Sequence, residues 1–162
     1  MRINAKAKKA DTSEWIYGCV IYDVRGTNQT VMCSREDGEI YTVDEDTVCE
    51  YSGLQTTEDE PKDIFLHDIL RITMAPNGSE DDYRDFEYDY PVVSIIDGLP
   101  FAVSVEIPDD GEKKKFSFPL AWLPRQLEEM GWTVISIEHM GNSLEMSYND
   151  ANKEKIIADS IG

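Results

Sequence analysis

The sequence predicts a mainly β protein: a strongly twisted antiparallel sheet or partly open barrel with one or two short helices. Apolar residues recur at every second position in several short segments, which is typical of strands. Asp-Gly pairs at 37–38 and 97–98 lie between such segments, where tight hairpin turns favour them. The three- and four-residue apolar spacing of a helix is clear only near 119–130. We therefore expect a flexible basic lead at 1–13, followed by a single domain over 14–162.

The first predicted strand begins at Trp15 and has apolar side chains on both faces. One face carries Trp15, Tyr17, Cys19 and Ile21, and the other carries Ile16, Val20 and Tyr22. This pattern predicts a strand that is buried on both sides or nearly so. Residues 30–33 and 39–43 are the next two strands, and Asp37-Gly38 supplies the positive φ of the turn that pairs them antiparallel.

A second hairpin is predicted over 91–107, with Asp97-Gly98 as its turn. In its second strand, one set of residues is expected to face the core and the alternate set to face water. The core set is Phe101, Val103, Val105 and Ile107, and the solvent set is Ala102, Ser104 and Glu106. Pro100 has no N–H to donate to a ladder, so it is expected at an edge or just after the turn.

The helical segment is interrupted by a proline. Its apolar residues are Leu120, Leu123, Leu127 and Met130. Pro124 excludes one continuous helix, so we expect a short helix or turn, a second helix starting at Pro124, and a stop at Gly131. A strand follows at 132–139, and a last short helix is predicted in the tail at 149–162.

Charge limits the classes of partner. The chain carries 33 acidic against 15 basic residues, a formal charge of −18, which repels phosphate backbones. The basic residues that cluster are Arg2, Lys6, Lys8 and Lys9 at the amino terminus, and the turn Lys113 to Lys115. Direct nucleic-acid binding is therefore not the expected function. The alternative is a small regulatory nucleic-acid-associated module that uses these two basic clusters.

Cysteine usage and hydropathy indicate a cytoplasmic protein. Cys19, Cys33 and Cys49 are odd in number and widely spaced, so they predict small buried thiols in a reducing compartment. The amino terminus lacks the apolar core of a signal peptide, and no run approaches the roughly 20 apolar residues that span a bilayer. We expect no contact with a membrane.

Few residues could carry catalysis. The chain has two histidines, and adjacent His67 and Asp68 would point to opposite faces of a strand, so they could not form a base and its orienting partner. Asp68 is expected to accept a backbone N–H in the turn that enters a strand. His139 ends a predicted strand with no second histidine or cysteine near it in sequence. We therefore expect no catalytic residue, no cofactor and no metal site, and a protein that is not an enzyme.

The acidic stretch 79–90 is the first choice for a partner-binding surface. It interleaves acids with aromatic rings, a composition that suits a basic protein partner. The candidate residues are Glu80, Asp81, Asp82, Tyr83, Asp85, Glu87 and Asp89. A solvated acidic connection is the alternative to a specific site. A strand over 86–92, with acids outward and aromatics inward, is compatible with either reading.

Three segments together resemble the YopX family of small phage and prophage proteins. They are "EWIYGCVIYD" near the start, "VDEDTVCEYSGL" at 43–54 and "DIFLHDILRI" at 63–72. The matching residues are Trp15, Gly18, Thr47, Val48, Tyr51, Gly53, Leu54, Ile64, Phe65, Asp68 and Ile69. Those taken as a structural signature are Trp15, Gly18, Tyr51, Gly53, Leu54, Phe65, Asp68 and Ile69. His67 stands where the family usually has glycine. The resemblance covers about residues 14–75.

The resemblance implies a β-rich fold and a phage or prophage setting in the cytoplasm of a bacterial host. It implies no established activity and no catalytic residues. Within 50–72 it implies that Tyr51 and Leu54 pack, that Gly53 turns the chain, and that Asp68 braces the entry to a strand from Ile69. The expected function is a non-enzymatic accessory protein that binds a host or phage protein through acidic surface. A homo-oligomer is also expected, because an exposed edge strand can pair with another copy.

Overall fold

The structure, a computed structural model, describes residues 3–109 and 111–145. The protein is mainly β, as predicted, with antiparallel strand pairing and one short α-helix. It forms two compact units, Met1–Ser52 and Gly53–Gly162, called here the amino-terminal and carboxy-terminal units. The division lies inside the range that the sequence predicts as one domain.

Twelve strands and one α-helix make up the described residues. The strands are β1 (Ala5–Lys8), β2 (Trp15–Ile21), β3 (Val31–Ser34), β4 (Ile40–Thr42), β5 (Cys49–Gln55), β6 (Asp63–Phe65), β7 (Asp68–Pro76), β8 (Glu87–Asp89), β9 (Val92–Ile96), β10 (Leu99–Asp109), β11 (Glu112–Pro119) and β12 (Trp132–Asn142). The helix is α1 (Leu123–Glu129), and single 3₁₀ turns lie at Val24–Gly26, Glu45–Thr47, Tyr83–Asp85 and Leu120–Trp122. The helix predicted at 149–162 lies outside the described residues.

The amino-terminal unit is a sheet with strand order β4-β3-β2-β1-β5. Strand β1 lies inside this sheet, paired with β2 on one edge and β5 on the other, so the prediction of a flexible lead over 1–13 is wrong at residues 5–8. Ala5 and Ala7 are fully buried in the core, and Lys6 between them lies over the Trp15 ring. The alternation of alanine with lysine is thus a strand pattern, in which the small apolar residues face inward.

Only one face of β2 is buried, so the prediction of burial on both sides is wrong. Ile16 lies in the core of this unit, whereas Tyr17 and Ile21 are about half exposed. Gly18 allows β2 and β3 to approach closely, because a Cβ at this position would lie 1.9 Å from the carbonyl oxygen of Cys33. The predicted pairing of β3 with β4 is confirmed, and Gly38 has a φ of +73° in their turn.

The carboxy-terminal unit is a sheet with strand order β11-β10-β9-β7-β12, in which β8 also pairs with β7. Strand β6 precedes β7 and is hydrogen-bonded to β5, whose residues 53–55 belong to this unit. Fully buried side chains of β7, β9, β10 and α1 form the core, and they include Leu70, Ile72, Met74, Val93, Val105, Leu123 and Leu127. Strand β7 is an interior strand of this sheet, with β12 along one edge and β8 and β9 along the other.

The hairpin of β9 and β10 is confirmed, with its turn at Asp97-Gly98, where both residues have positive φ. The predicted alternation along β10 is wrong in its first half. Ala102 is fully buried, because the register with β11 shifts between Ala102 and Val105 and Ser104 adopts a φ of +63°. Such a bulge inserts an extra residue and moves the following side chains to the other face.

The helical segment forms as predicted, with a 3₁₀ turn before α1 and Pro124 in the first turn of α1. Pro124 fits there because the first N–H groups of a helix have no intrahelical partner. Leu123 and Leu127 are buried, whereas Met130 is 40% exposed. Gly131, with a φ of +95°, ends the segment.

The segment 50–54 is a strand, not a turn. Tyr51, Gly53 and Leu54 all lie within β5, and Gly53 takes a φ of +85° there without reversing the chain. Leu54 packs on the core of the carboxy-terminal unit, as the resemblance implies, and Tyr51 is half-buried. The reversal lies instead at Leu66-His67, between β6 and β7, where His67 has a φ of +69°.

Candidate functional site

The acidic stretch 79–90 is an irregular connection that leads from β7 into β8. Its backbone is held by its own acids. The carboxylate of Asp82 accepts the N–H of Arg84 at 3.1 Å and caps the 3₁₀ turn Tyr83–Asp85. The carboxylate of Glu80 accepts the N–H of Gly78 at 3.1 Å and the hydroxyl of Thr133 at 2.8 Å. These side-chain acceptors add to the backbone hydrogen bonds of the loop, as turns rich in aspartate allow.

These bonds divide the candidate acids into two groups. The backbone N–H of Gly78 holds the pKa of Glu80 below its ordinary value, and the Arg84 side chain, 3.0 Å from Asp82, does the same for that carboxyl. Glu80 and Asp82 therefore act within the loop. Asp81 and Asp85 are exposed, and so is Tyr83, at 77% of its surface.

Tyr83, Asp81 and Asp85 line an open depression of about 600 Å³. The other lining residues are Gly78, Ser79, Asp82 and Arg84. Exposed aromatic and carboxylate groups thus share one surface, a combination that can contact the stem of a basic side chain and pair with its charge.

The side chains of β8 do not face as predicted, with acids outward and aromatic rings inward. Tyr88 pairs with Thr73, is about half exposed and lies under the Arg71 guanidinium, 5.8 Å from ring centroid to Cζ. Asp89 pairs with Ile72, a fully buried core residue, so its side chain lies on the inner face. The pairing with β7 fixes which β8 residues point inward, and the β8 sequence alone does not contain this information.

Partial burial gives Asp89 an unusual carboxyl group. Burial raises its pKa to about 6, although backbone N–H groups of Glu106 and Tyr90 bond to it. Its Oδ2 atom is buried and has no hydrogen-bond partner among the described residues. Glu87, on the same strand, is 4.0 Å from the Lys113 ammonium. Neither acid presents its charge outward in the way that Asp81 and Asp85 do.

A second cluster joins residues that the sequence keeps apart. Asp68 is fully buried; its Oδ2 accepts the N–H of Phe65 at 2.8 Å, and its Oδ1 accepts the side-chain amide of Asn142 at 3.0 Å. The Nε2 atom of His139 lies 3.3 Å from Oδ1. The predicted bracing role of Asp68 is confirmed.

Sequence reasoning found no partner for His139, because Asp68 meets it only through the pairing of β7 with β12. The contact pairs a half-buried imidazole with a fully buried carboxylate. The backbone N–H of His139 also donates to Glu58 at 3.3 Å. The main effect of this cluster is structural, because Asp68 closes the turn between β6 and β7 and ties it to the end of β12.

The two basic clusters are engaged within the protein. The ammonium groups of Lys6 and Lys8 lie 5.0 and 5.4 Å from the Trp15 ring centroid. Lys9 lies 4.1 Å from the centroid of the Tyr41 ring. In the other cluster, Lys115 is 3.8 Å from the Glu106 carboxylate. Lys6, Lys8 and Lys9 thus lie against aromatic rings, whereas the side chains of Lys113 and Lys115 stay 58% and 66% exposed beside surface acids.

No protein-family model matches the chain, and no match was found among curated proteins or solved structures. The resemblance to the YopX family therefore rests on its motif residues alone. Across 3–109 and 111–145, no three His, Cys, Asp or Glu side chains are grouped so that they could hold a metal ion. The same described residues contain no helix long and apolar enough to cross a membrane.

Proposed function

We propose that this is a non-enzymatic accessory protein that binds a basic protein partner through the surface formed by Asp81, Tyr83 and Asp85. The phage or prophage setting of this proposal comes from the YopX resemblance. The binding mode comes from the surface itself. The single observation that carries it is an aromatic side chain, 77% exposed, flanked by two exposed carboxylates.

The exposed ring gives this surface an energetic anchor. Tyrosine is among the residues that dominate binding energy at protein interfaces, because it buries a large area with few rotatable bonds. In the free protein the ring of Tyr83 remains largely in water, so binding would bury it. An arginine or lysine of the partner could stack on the ring and pair with either carboxylate.

Long-range charge supports the same partner. The amino-terminal unit has six basic and ten acidic residues, whereas the carboxy-terminal unit has nine basic and twenty-three acidic. The unit that contains Tyr83 thus carries most of the negative charge. Complementary charge of this kind accelerates encounter and disfavours acidic competitors more than it adds to affinity.

The test compares capture of bacterial host proteins by four forms of the tagged chain, each with and without nuclease. The wild type is compared with Asp81→Asn/Asp85→Asn, with Tyr83→Ala, and with the control Asp59→Asn/Glu60→Gln. The control acids are also exposed, lie in the same unit and give the same change in net charge. We expect one basic protein that is retained by the wild type and the control, and lost by the other two.

The affinity for the identified protein is then measured by titration calorimetry. Tyr83→Phe, which keeps the ring, should bind within about threefold of the wild type, whereas Tyr83→Ala should lose about tenfold or more. If the Asp59→Asn/Glu60→Gln control lost as much affinity as Asp81→Asn/Asp85→Asn, binding would depend on net charge alone, and the proposal would fail. Retention that requires nucleic acid and weakens steeply with salt would favour the nucleic-acid alternative.

A further inference from the structure

Two of the three cysteines face each other across neighbouring strands. The register of β2 with β3 places Cys19 directly opposite Cys33. Directly opposed residues of an antiparallel pair project from the same face, with Cα atoms about 4.5 or 5.5 Å apart according to the type of pair. A disulfide needs a Cα separation of roughly 4.4 to 6.8 Å. The backbone therefore holds the two Cα atoms at a separation that a disulfide can span.

Exposure separates this pair from the third cysteine. Cys19 and Cys33 are both partly exposed, contrary to the prediction of three buried thiols, whereas Cys49 is fully buried. Cys49 lies on β5, and β1 intervenes between β5 and β2. A small oxidant dissolved in water can thus reach the opposed pair but not Cys49, and all three residues are thiols in the structure.

We propose that Cys19 and Cys33 form a redox-sensitive disulfide between β2 and β3, with hydrogen peroxide as the oxidant. The thiolate of one cysteine attacks peroxide, an S–O bond forms as the O–O bond breaks, and the departing hydroxide takes up a proton as water. The second thiolate attacks the resulting sulfenic sulfur, the S–S bond forms, and the S–O bond breaks to release a second water. Two thiols and one peroxide give one disulfide and two waters.

The bond would close a loop whose backbone is unusual. Asp23, Arg25 and Asn28, between the two cysteines, have φ values of +47°, +51° and +60°. Residues other than glycine adopt a positive φ mainly where the surrounding structure enforces it. Oxidation would fix both ends of this segment, so we expect its opening to become rarer and its amide hydrogens to exchange more slowly.

The experiment treats the purified full-length protein with hydrogen peroxide and measures intact mass, alkylation and peptide maps. In the wild type we expect a mass lower by two hydrogen atoms, a fall from three alkylated thiols to one after unfolding, and a linked peptide pair that contains Cys19 and Cys33. A thiol reductant should reverse all three changes. The control Cys49→Ser should form the same bond, whereas Cys19→Ser and Cys33→Ser should not.

Peptide mapping of the wild type identifies the linked cysteines even where a variant folds poorly. A disulfide between Cys19 and Cys33, with slower hydrogen exchange over 22–30 in the oxidised form, supports the proposal. A bond to Cys49, a bond between two copies of the chain, or gain of oxygen without a disulfide would each overturn it. This test uses no partner, so its outcome is independent of the proposed function.

Discussion

Asp68, the first residue of β7, and Asp89, the last residue of the short strand β8 that pairs with β7, are buried to different extents and with different results. Asp68 is completely buried and accepts hydrogen bonds from Phe65 and Asn142, with His139 beside it. Asp89 is half-buried, and one of its oxygens has no partner among the described residues. The amount of burial is therefore a poor guide to whether a carboxylate stabilises a fold.

What differs is the supply of donors. At Asp68 a tight turn presents a backbone N–H, and the end of β12 presents a side-chain amide, so the carboxylate replaces the water that it loses. At Asp89 the donors come only from the backbone, and desolvation dominates, which raises its pKa to about 6. The Asp68 carboxylate therefore stabilises the fold, whereas the ionised Asp89 carboxylate destabilises it.

The largest expected effect is that of Asp68→Ala. The substitution leaves the Phe65 N–H and the Asn142 amide buried without this acceptor, so we expect the free energy of unfolding to fall by about 3 kcal/mol. Urea unfolding followed by circular dichroism measures the change. The control Asp59→Ala removes an exposed acid and should stay within about 0.5 kcal/mol of the wild type. Similar values for both variants would mean that Asp68 stabilises the fold no more than an exposed acid does.

A smaller effect is expected for Asp89→Asn, and it lies in the pH dependence. Burial raises the pKa of Asp89 from 3.8 to about 6. The folded protein thus holds this proton more tightly than the unfolded chain does. Its contribution to stability is complete below the unfolded pKa and is lost as the pH rises through the folded pKa.

The asparagine variant cannot undergo this loss. After a discount for the partial exposure of the group, its stability relative to the wild type should rise by about 1 kcal/mol between about pH 4 and pH 7. Urea unfolding at several pH values tests this, with Asp81→Asn as a control for the removal of one negative charge. A relative stability that stays constant with pH would mean that Asp89 is as well solvated as an exposed acid.

The smallest expected effect concerns the turn beside Asp68. His67 has a φ of +69°, which costs a residue with a Cβ more than it costs glycine. Because glycine also loses more freedom on folding, we expect His67→Gly to raise the free energy of unfolding by only about 0.5 kcal/mol. The matched variant His67→Ala keeps the Cβ without the imidazole. A glycine variant no more stable than the alanine variant would show that the turn imposes no strain on His67.

Local features could be predicted from the sequence, and features set by pairing between distant segments could not. The turns at Gly38 and Gly98 and the helix start at Pro124 follow from residues within a few positions of each other. The phase of β8 depends on β7, and the bulge at Ser104 depends on the fit of β10 to β11. The tie between Asp68 and Asn142 joins residues 74 positions apart.

For the candidate binding surface, too, the sequence predicts the local features but not those that depend on distant residues. Exposure of Asp81, Tyr83 and Asp85 agrees with the choice of the acidic stretch, because polar loops lie at the surface. The internal roles of Glu80 and Asp82 depend on Thr133 and on the side-chain conformation of Arg84. Composition cannot separate an acid that holds a loop from one that faces solvent.

The long-range pairing of β7 with β12 also bears on how the chain folds during its synthesis. Strand β7 ends at Pro76, and β12 is complete only at Asn142, so the core of the carboxy-terminal unit cannot close until that residue has left the ribosome. Strands β1 to β5 are all complete by Gln55. We expect nascent chains stalled in the β10–β11 region to expose the apolar face of β7, and to need a chaperone at that stage.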